Sequence, residues 1–529
     1  MPSDCISYQN SGYFSPLMND YLNQKNNLKS LYNRFPSLEN FEAQIIEKQN
    51  NYDPRFRATL VAVLQNQYAG VATSAFTQQN IKDLAQSNTF TITTGHQLNL
   101  FSGPLYFLYK IISTLNLTTQ LKAKYPSYNF VPVYWMATED HDFEEINYFN
   151  FKGKKFRWNK ESTGPVGRLS TAGLAEFLEV YKLELGSSTN ANALKKLFED
   201  AYIKNDNLAD ATRFLANALF GTHGLVILDA DNADLKRNFI PFVKEELLHQ
   251  SSHKLVLNTA EKLKEYTIQV NPREINLFYI EDHVRERILF EDGLYKVNNT
   301  KIEFSESEII KLLGSHPEKF SPNVIMRPLY QEVILPNLCY IGGGGEIAYW
   351  LELKSFFAAA KVTFPILLLR NSVLLATEKQ IKKSEKMELN WADLFSKQTH
   401  LINAKTKYLS EFPIELNHLK EQLQQQFELL YVIANKTDKS FIGALKAQER
   451  KQIKGLENLE KRLLKAQKRN LNDALERITN LQNELFPNQS LQERQTNFSE
   501  FYLECGENLI PILIKQLQPL TNTFDIIAL

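Results

Sequence analysis

Four short apolar runs punctuate the first two thirds of the chain: "TFTITT" at 89–94, "NFVPVYWMA" at 129–137, "GLVILDA" at 224–230 and "TFPILLLR" at 363–370. They are rich in β-branched and aromatic residues and lack polar alternation, the pattern of strands buried on both faces. Segments such as "LYFLYKIISTLNLTTQLKA", "ATRFLANALFGTH" and "LKRNFIPFVKEELLHQ" lie between them with helical spacing. Strand alternating with helix predicts βαβ units on a mostly parallel sheet, an α/β fold. The first 85 or so residues read as short amphipathic helices.

Between the third and fourth runs, "INLFYIEDHVRERILFEDGLYKVNNTKIEF" alternates with period two around an Asp292-Gly293 turn. It predicts a small antiparallel insert within about 270–325. After residue 375 the strands stop. Leu416, Leu419, Leu423, Phe427 and Leu430 recur three and four apart, as do Ile453, Leu456, Leu463 and Ala466, then Leu471, Ala474, Ile478, Leu481 and Leu485. Two helices turning near "ANKTDKS" are expected, the second continuous over more than about 40 residues, with an apolar seam that pairs with a second copy. "LFPNQSLQER" ends it at Pro487, and "FSEFYLECGENLIPILIKQL" returns as helix. The expected division is 1–375 as the sheet-bearing body with its insert, 376–487 as an antiparallel coiled-coil arm making a homodimer, and 488–529 as a helical return onto the body.

Composition narrows the class. Across 529 residues, 60 basic side chains balance 60 acidic ones, so no global field would hold the chain on nucleic acid or an anionic membrane. The odd set Cys5, Cys339 and Cys505 points to a reducing, cytoplasmic setting rather than a disulfide framework. No run is long enough to span a membrane, and the N-terminus lacks a secretory pattern.

Candidate chemistry follows the strands, because open parallel sheets bind ligands beyond their carboxyl ends. After the first strand, Gly95 and Gly103 free the backbone, Ser102 reads as an N-cap and Pro104 as the first helical turn. That helix start would receive an anion beside His96, Gln97, Asn99 and Tyr106. "TEDHDFEEIN" follows the second strand. Asp142 and Glu145 are spaced as a capping box, leaving Glu139, Asp140 and His141 for general-base work, with Asn147 beyond; no second His or Cys lies at zinc spacing, and no metal is predicted. Asp231 or Asn232 caps the helix after the third strand. The run Gly342, Gly343, Gly344 and Gly345 requires positive φ or close approach, and Glu346 and Tyr349 open the helix behind it. Arg327 and Gln331 upstream are placed to grip a substrate carboxylate. Cys339 reads as packing. Lys382 and Lys383 read as a helix-face patch or a phosphate lid.

The blocks "TTGHQLNLFSGPLYFLYKIIS", "PVYWMATEDHDFEEIN", "NVIMRPLYQEVILPNLCYIGGGGEIAYWLELK" and "LFPNQSLQER", in this order, resemble the BshC family, the cysteine-adding enzymes of bacillithiol biosynthesis. The resemblance covers almost the whole chain. It implies a Rossmann-like, nucleotidyltransferase-type core with a connecting insert and a coiled-coil dimerisation arm. It also implies an amide-forming ligase joining L-cysteine to glucosaminyl-malate in the last step of that pathway, with ATP or ADP as the nucleotide. In that frame Arg327 would hold the malyl carboxylates, and Glu139, Asp140 or His141 would take the amine proton. Where class I synthetases carry H-I-G-H, this chain has "FSGP" at 101–104. The competing readings are a ligase or nucleotidyltransferase for another small amine, and a coiled-coil scaffold with a degenerate nucleotide fold.

Overall fold

The computed structural model describes residues 4–437 and 439–529, which separate into two compact units, 1–375 with 491–529, and 376–490. The first unit is built on a five-stranded sheet: β1 (Thr89–His96), β2 (Asn129–Met136), β3 (Val226–Asp229), β4 (Asn337–Gly342) and β5 (Ile366–Leu369). Spatial order is β5-β4-β1-β2-β3 and every pairing is parallel. Strand order therefore reverses between β1 and β4, which sets the crevice at their carboxyl ends.

All eight residues of β1 are buried, as its unbroken apolar and threonine run requires. Phe90 and Ile92 pack with Leu117, Leu121, Ile341 and Ile366. On the other face, the Thr91 and Thr93 hydroxyls donate to Asn337 Oδ1 at 3.2 and 2.9 Å. Asn337 donates in turn to Glu332, whose carboxylate pairs with buried Lys48 at 3.1 Å. A polar seam thus pins β4 beside β1. Helix α1 (Tyr106–Lys124) connects β1 to β2; α2 (Met326–Ile334) precedes β4 and α3 (Gly344–Leu351) follows it.

Four strands were expected in this sheet and there are five. The missing one is β4, whose "NLCYIG" is short and confined between Pro336 and the glycines; its apolar residues, Cys339 included, are fully buried. The insert is antiparallel, its strands ordered Glu303–Phe304, Leu294–Val297, Val284–Glu291, Leu277–Glu281 and Phe320–Pro322. Its hairpin turns at Asp292 and Gly293, both at positive φ, 54° and 79°. The first residues are not all helical: Asp4–Ser7 pairs antiparallel with Thr523–Ala528, in a sheet that also holds Ser372–Ala376. The closing segment therefore ends as a strand.

One buried ion pair fastens that segment to the sheet. Arg370, just past β5, donates through Nη2 to Glu493 Oε1 at 2.7 Å and through Nη1 to Oε2 at 3.1 Å. Both side chains are buried, and Glu493 also accepts from the Val373 amide. Four residues on, Asn497 donates to the carbonyls of Phe101 and Gly103.

The second unit is helical. Asn417–Ala434 packs on Lys439–Asn470 through Phe427, Ala434 and Leu445. Asp438, inside the expected turn, lies outside the described residues. The long helix is interrupted at Leu471 and resumes as Asn472–Leu485, where Ile478, Leu481 and Leu485 are buried within the chain.

Glu493→Gln should lower stability by about 3–5 kcal/mol in urea unfolding of the whole chain, because it strands the Arg370 guanidinium in the interior. Wild-type stability would place the strength of this junction elsewhere.

Candidate functional site

At the carboxyl ends of β1 and β4 the first unit opens into a cleft of about 980 Å³. Its floor is Gly95, Tyr340 and Arg327, one wall is the loop after β2, another is α3, and the insert supplies a third.

Arg327 enters from the first turn of α2. It donates to Gln331 Oε1 and to the Tyr349 hydroxyl, each at 3.2 Å, and lies over the rings of Trp135 and Tyr340. Among the described residues no carboxylate pairs with it. A guanidinium held by neutral partners in a cleft keeps most of its field for a ligand. Nearby, buried Lys110 donates to the Gly95 carbonyl at 2.7 Å and pairs with Glu346 at 2.6 Å. Burial lowers the Lys110 ammonium's pKa, and Glu346 only partly restores it. For Glu346, burial acts upward but is outweighed by Lys110 and by the donors Gly343 N and Tyr340 Oη, so the carboxyl sits below its ordinary value.

The glycine run keeps negative or extended φ throughout, so of the two expected reasons for it, positive φ or close approach, the second applies. Close approach is its cause. A Cβ at Gly342 would meet the Tyr340 ring at 2.9 Å and Glu346 Cβ at 3.0 Å, and one at Gly344 would meet Met18 at 3.2 Å. Gly343 and Gly345 face the cleft, whereas Gly342 and Gly344 do not.

His96 lines the cleft between the rings of Tyr106 and Phe107. Burial first, then Lys110 and Arg370, push its pKa well down, and Nε2 has no partner. It is a neutral imidazole. The anion site expected at the start of α1 is closed: the Leu105 amide donates to Thr496 O, and Asn497 occupies the Phe101 and Gly103 carbonyls. Ser102 does not cap the helix; it is buried at φ 66°, and Gly103 packs on Asn99. Asn99 and Asn147 are buried away from the cleft, and Gln331 stands behind Arg327.

The acidic loop divides its labour. Glu139 is committed to buried Lys236, which also pairs with Asp231 at 3.2 Å; burial raises Glu139 despite the lysine. Gln97 Nε2 donates to both Asp140 Oδ2, at 3.0 Å, and Glu145 Oε2, at 2.8 Å, holding two carboxylates at the cleft wall. Burial pushes Asp140 up, but Gln97, Arg285 and two backbone amides prevail and hold it below the usual range. The expected capping box is absent, since Asp142 makes no side-chain cap and Glu145 is turned to Gln97. Asn232, not Asp231, caps the next helix. His141 is half exposed outside the cleft lining, accepts from Arg285 Nη1 at 2.6 Å, and is held neutral by burial and that guanidinium. Lys382 and Lys383 lie in the second unit, paired with Glu378 and Glu484.

Sequence reasoning missed most of the cations. Lys110, Arg370 and Arg494, with Arg273, Arg285 and Arg287 of the insert, line the same cleft. A lone lysine inside the apolar "YFLYKII" was the available signal for Lys110. The strap at 269–271 also lines it, tied down by Glu352 Oε1, which accepts from the Gln269 amide at 2.9 Å. No helix among the described residues is long and apolar enough to cross a membrane.

The family profile described as "Bacillithiol biosynthesis BshC, N-terminal Rossmann-like domain" matches residues 1–371, and "Bacillithiol biosynthesis BshC, C-terminal coiled-coil domain" matches 373–529. Relatives named "Putative cysteine ligase BshC" include one from Flavobacterium johnsoniae, 72% identical over the whole of both chains. Another from Christiangramia forsetii is 58% identical over 100% of this chain and 99% of its own. One from Staphylococcus carnosus is 26% identical over 92% and 94%.

Burial raises Glu352 from 4.5 to about 7, so between those values the folded state keeps a proton that the unfolded chain releases. Stability should therefore fall as pH rises through that window. Glu352→Gln should flatten this dependence, gaining on the wild type from pH 5 to pH 8 in urea midpoints; parallel profiles would refute it.

Proposed function

The chain belongs to the BshC family, and on that premise we propose that its cleft joins L-cysteine to glucosaminyl-malate through an amide bond, the last step of bacillithiol biosynthesis. The observation that carries this reading is Arg327, a guanidinium in the cleft floor with only neutral partners. A malyl group brings two carboxylates, and a planar fork between Tyr349 and Gln331 meets one of them in a bidentate manner. The arginines of the insert add attraction for a dianion.

The other end of the substrate is an amine, and the wall opposite is acidic. Asp140 and Glu145, spaced by Gln97, orient the amino group and take up its charge. Asp140 is the better placed to receive its proton, since Glu139 is held by Lys236 and His141 stands outside the cleft. Neutral His96 and the Tyr106 ring exclude water beside Gly95. Condensing a carboxylate with an amine requires a leaving group on the acyl carbon, which a nucleotide such as ATP supplies. The start of α1 does not fit its phosphates, because Thr496 and Asn497 occupy it.

Incubating the protein with L-cysteine, glucosaminyl-malate and ATP should yield bacillithiol by mass spectrometry; no product under any nucleotide condition would overturn the reading. Arg327→Leu should raise KM for glucosaminyl-malate roughly tenfold or more. Asp140→Asn should cut kcat by about 10²-fold or more with the melting temperature unchanged.

We also propose that two copies pair through the arm. Leu429, Val432, Ile433 and Leu459 are exposed at 71, 59, 56 and 55%, an apolar surface that its own chain leaves uncovered. The Leu429→Glu, Leu459→Glu double variant should run as a monomer in light scattering; an intact dimer would place the interface elsewhere.

A further inference from the structure

Behind the glycine turn lies a second cavity of about 170 Å³, separate in role from the cleft just described. Gln269, Gly345, Arg370 and Arg494 line both spaces and so form the partition between them. Met18 from the helix Pro16–Leu22, Ala348 from α3, and Leu491 give the second cavity an apolar side, while Ser15, Ser372 and the Glu493 carboxylate, both of whose oxygens accept from Arg370, also line it.

Three features give the partition an affinity for a carboxylate. The first-turn amides of Gly344 and Gly345 have no intrahelical acceptor and carry the positive end of α3. Independently, Arg370 is only 3% exposed, spends both Nη groups on Glu493, and leaves Nε without a partner. A buried N–H without an acceptor is costly unless a ligand satisfies it. Arg494, on the exposed side of the same partition, has no carboxylate partner among the described residues.

The geometry points to this small cavity as the seat of the amino-acid substrate, an L-α-amino acid with a short side chain such as cysteine. Its carboxylate sits on the partition at Arg370, Arg494 and the α3 amides. Its side chain lies against Met18, Ala348 and Leu491, and the Gln269 carboxamide oxygen is available to the α-ammonium. This rests on the ligase reading and deepens it. The acyl carbon then lies at the boundary, where an amine held in the main cleft can reach it, and the thiol points away from that meeting point. A short side chain matches the limited apolar surface that Met18, Ala348 and Leu491 offer.

Isothermal titration calorimetry on the full chain tests it, with L-cysteine, L-alanine and L-leucine as probes. Wild-type protein should bind cysteine and alanine and reject leucine. Ala348→Leu, which fills the apolar wall, and Arg494→Gln, which removes an exposed cation without touching the core, should each weaken cysteine at least about tenfold. Both should keep the wild-type melting temperature, and Ala348→Leu, at a position that lines only the small cavity, should also keep the wild-type affinity for malate. Absence of cysteine binding, or unchanged affinity in both variants, overturns the assignment. If bacillithiol still forms while both variants keep the wild-type KM for cysteine, the cavity is wrong and the ligase reading stands. If no product forms with any nucleotide, the ligase reading itself has failed, whichever amino acids bind.

Discussion

The bidentate pair between Arg370 and Glu493 is the constraint on which the first unit depends. Two ions taken out of water are expensive, and the cost is met only where geometry is good and remaining hydrogen-bonding capacity is used. Here the Val373 amide completes the carboxylate, and the Arg370 amide itself donates to the Gly342 carbonyl at 2.9 Å. One residue therefore ties together the end of β5, the start of the glycine turn and a segment more than a hundred positions downstream.

That arrangement explains why the cleft is shaped by cations although the chain is neutral overall. Arg327 and Lys110 come from helices flanking the switch between β1 and β4, and Arg370 comes from the strand beside them. Lys110 pairs with Glu346 and Arg370 with Glu493, whereas Arg327 has no ion-pair partner among the described residues. The field left over is local. It is the pattern expected of a site that selects one anionic small molecule rather than a polyanion.

Much of this was legible in the sequence, for identifiable reasons. Long apolar runs declared β1, β2, β3 and β5, and period-two alternation around Asp292 declared the insert. β4 escaped because six residues following a proline and running into the glycines are too short to show a period, and a polar residue, Asn337, opens it as a buried bridge. The polar turns after β1 and β2 drew attention to Gln97 and Asp140, both of which line the cleft. Pattern could not separate a residue facing the cleft, such as Asp140, from its neighbour His141 one position away, because irregular loops have no fixed side-chain period. The partners of the buried cations lie more than a hundred residues apart, and only folding brings Glu493 to Arg370 or Glu346 to Lys110.

Residues 491–529 close the sheet-bearing unit after the whole helical arm has intervened in the chain. During synthesis on the ribosome, the strands and the start of α1 emerge long before Asn497 and Glu493 exist to cover them. The arm, whose helices pair locally, can form while the body is still waiting for its clasp. Closure of the cleft thereby waits until the arm has been made, and a chain stopped just after the arm would lack the Glu493 and Asn497 contacts that fasten the body.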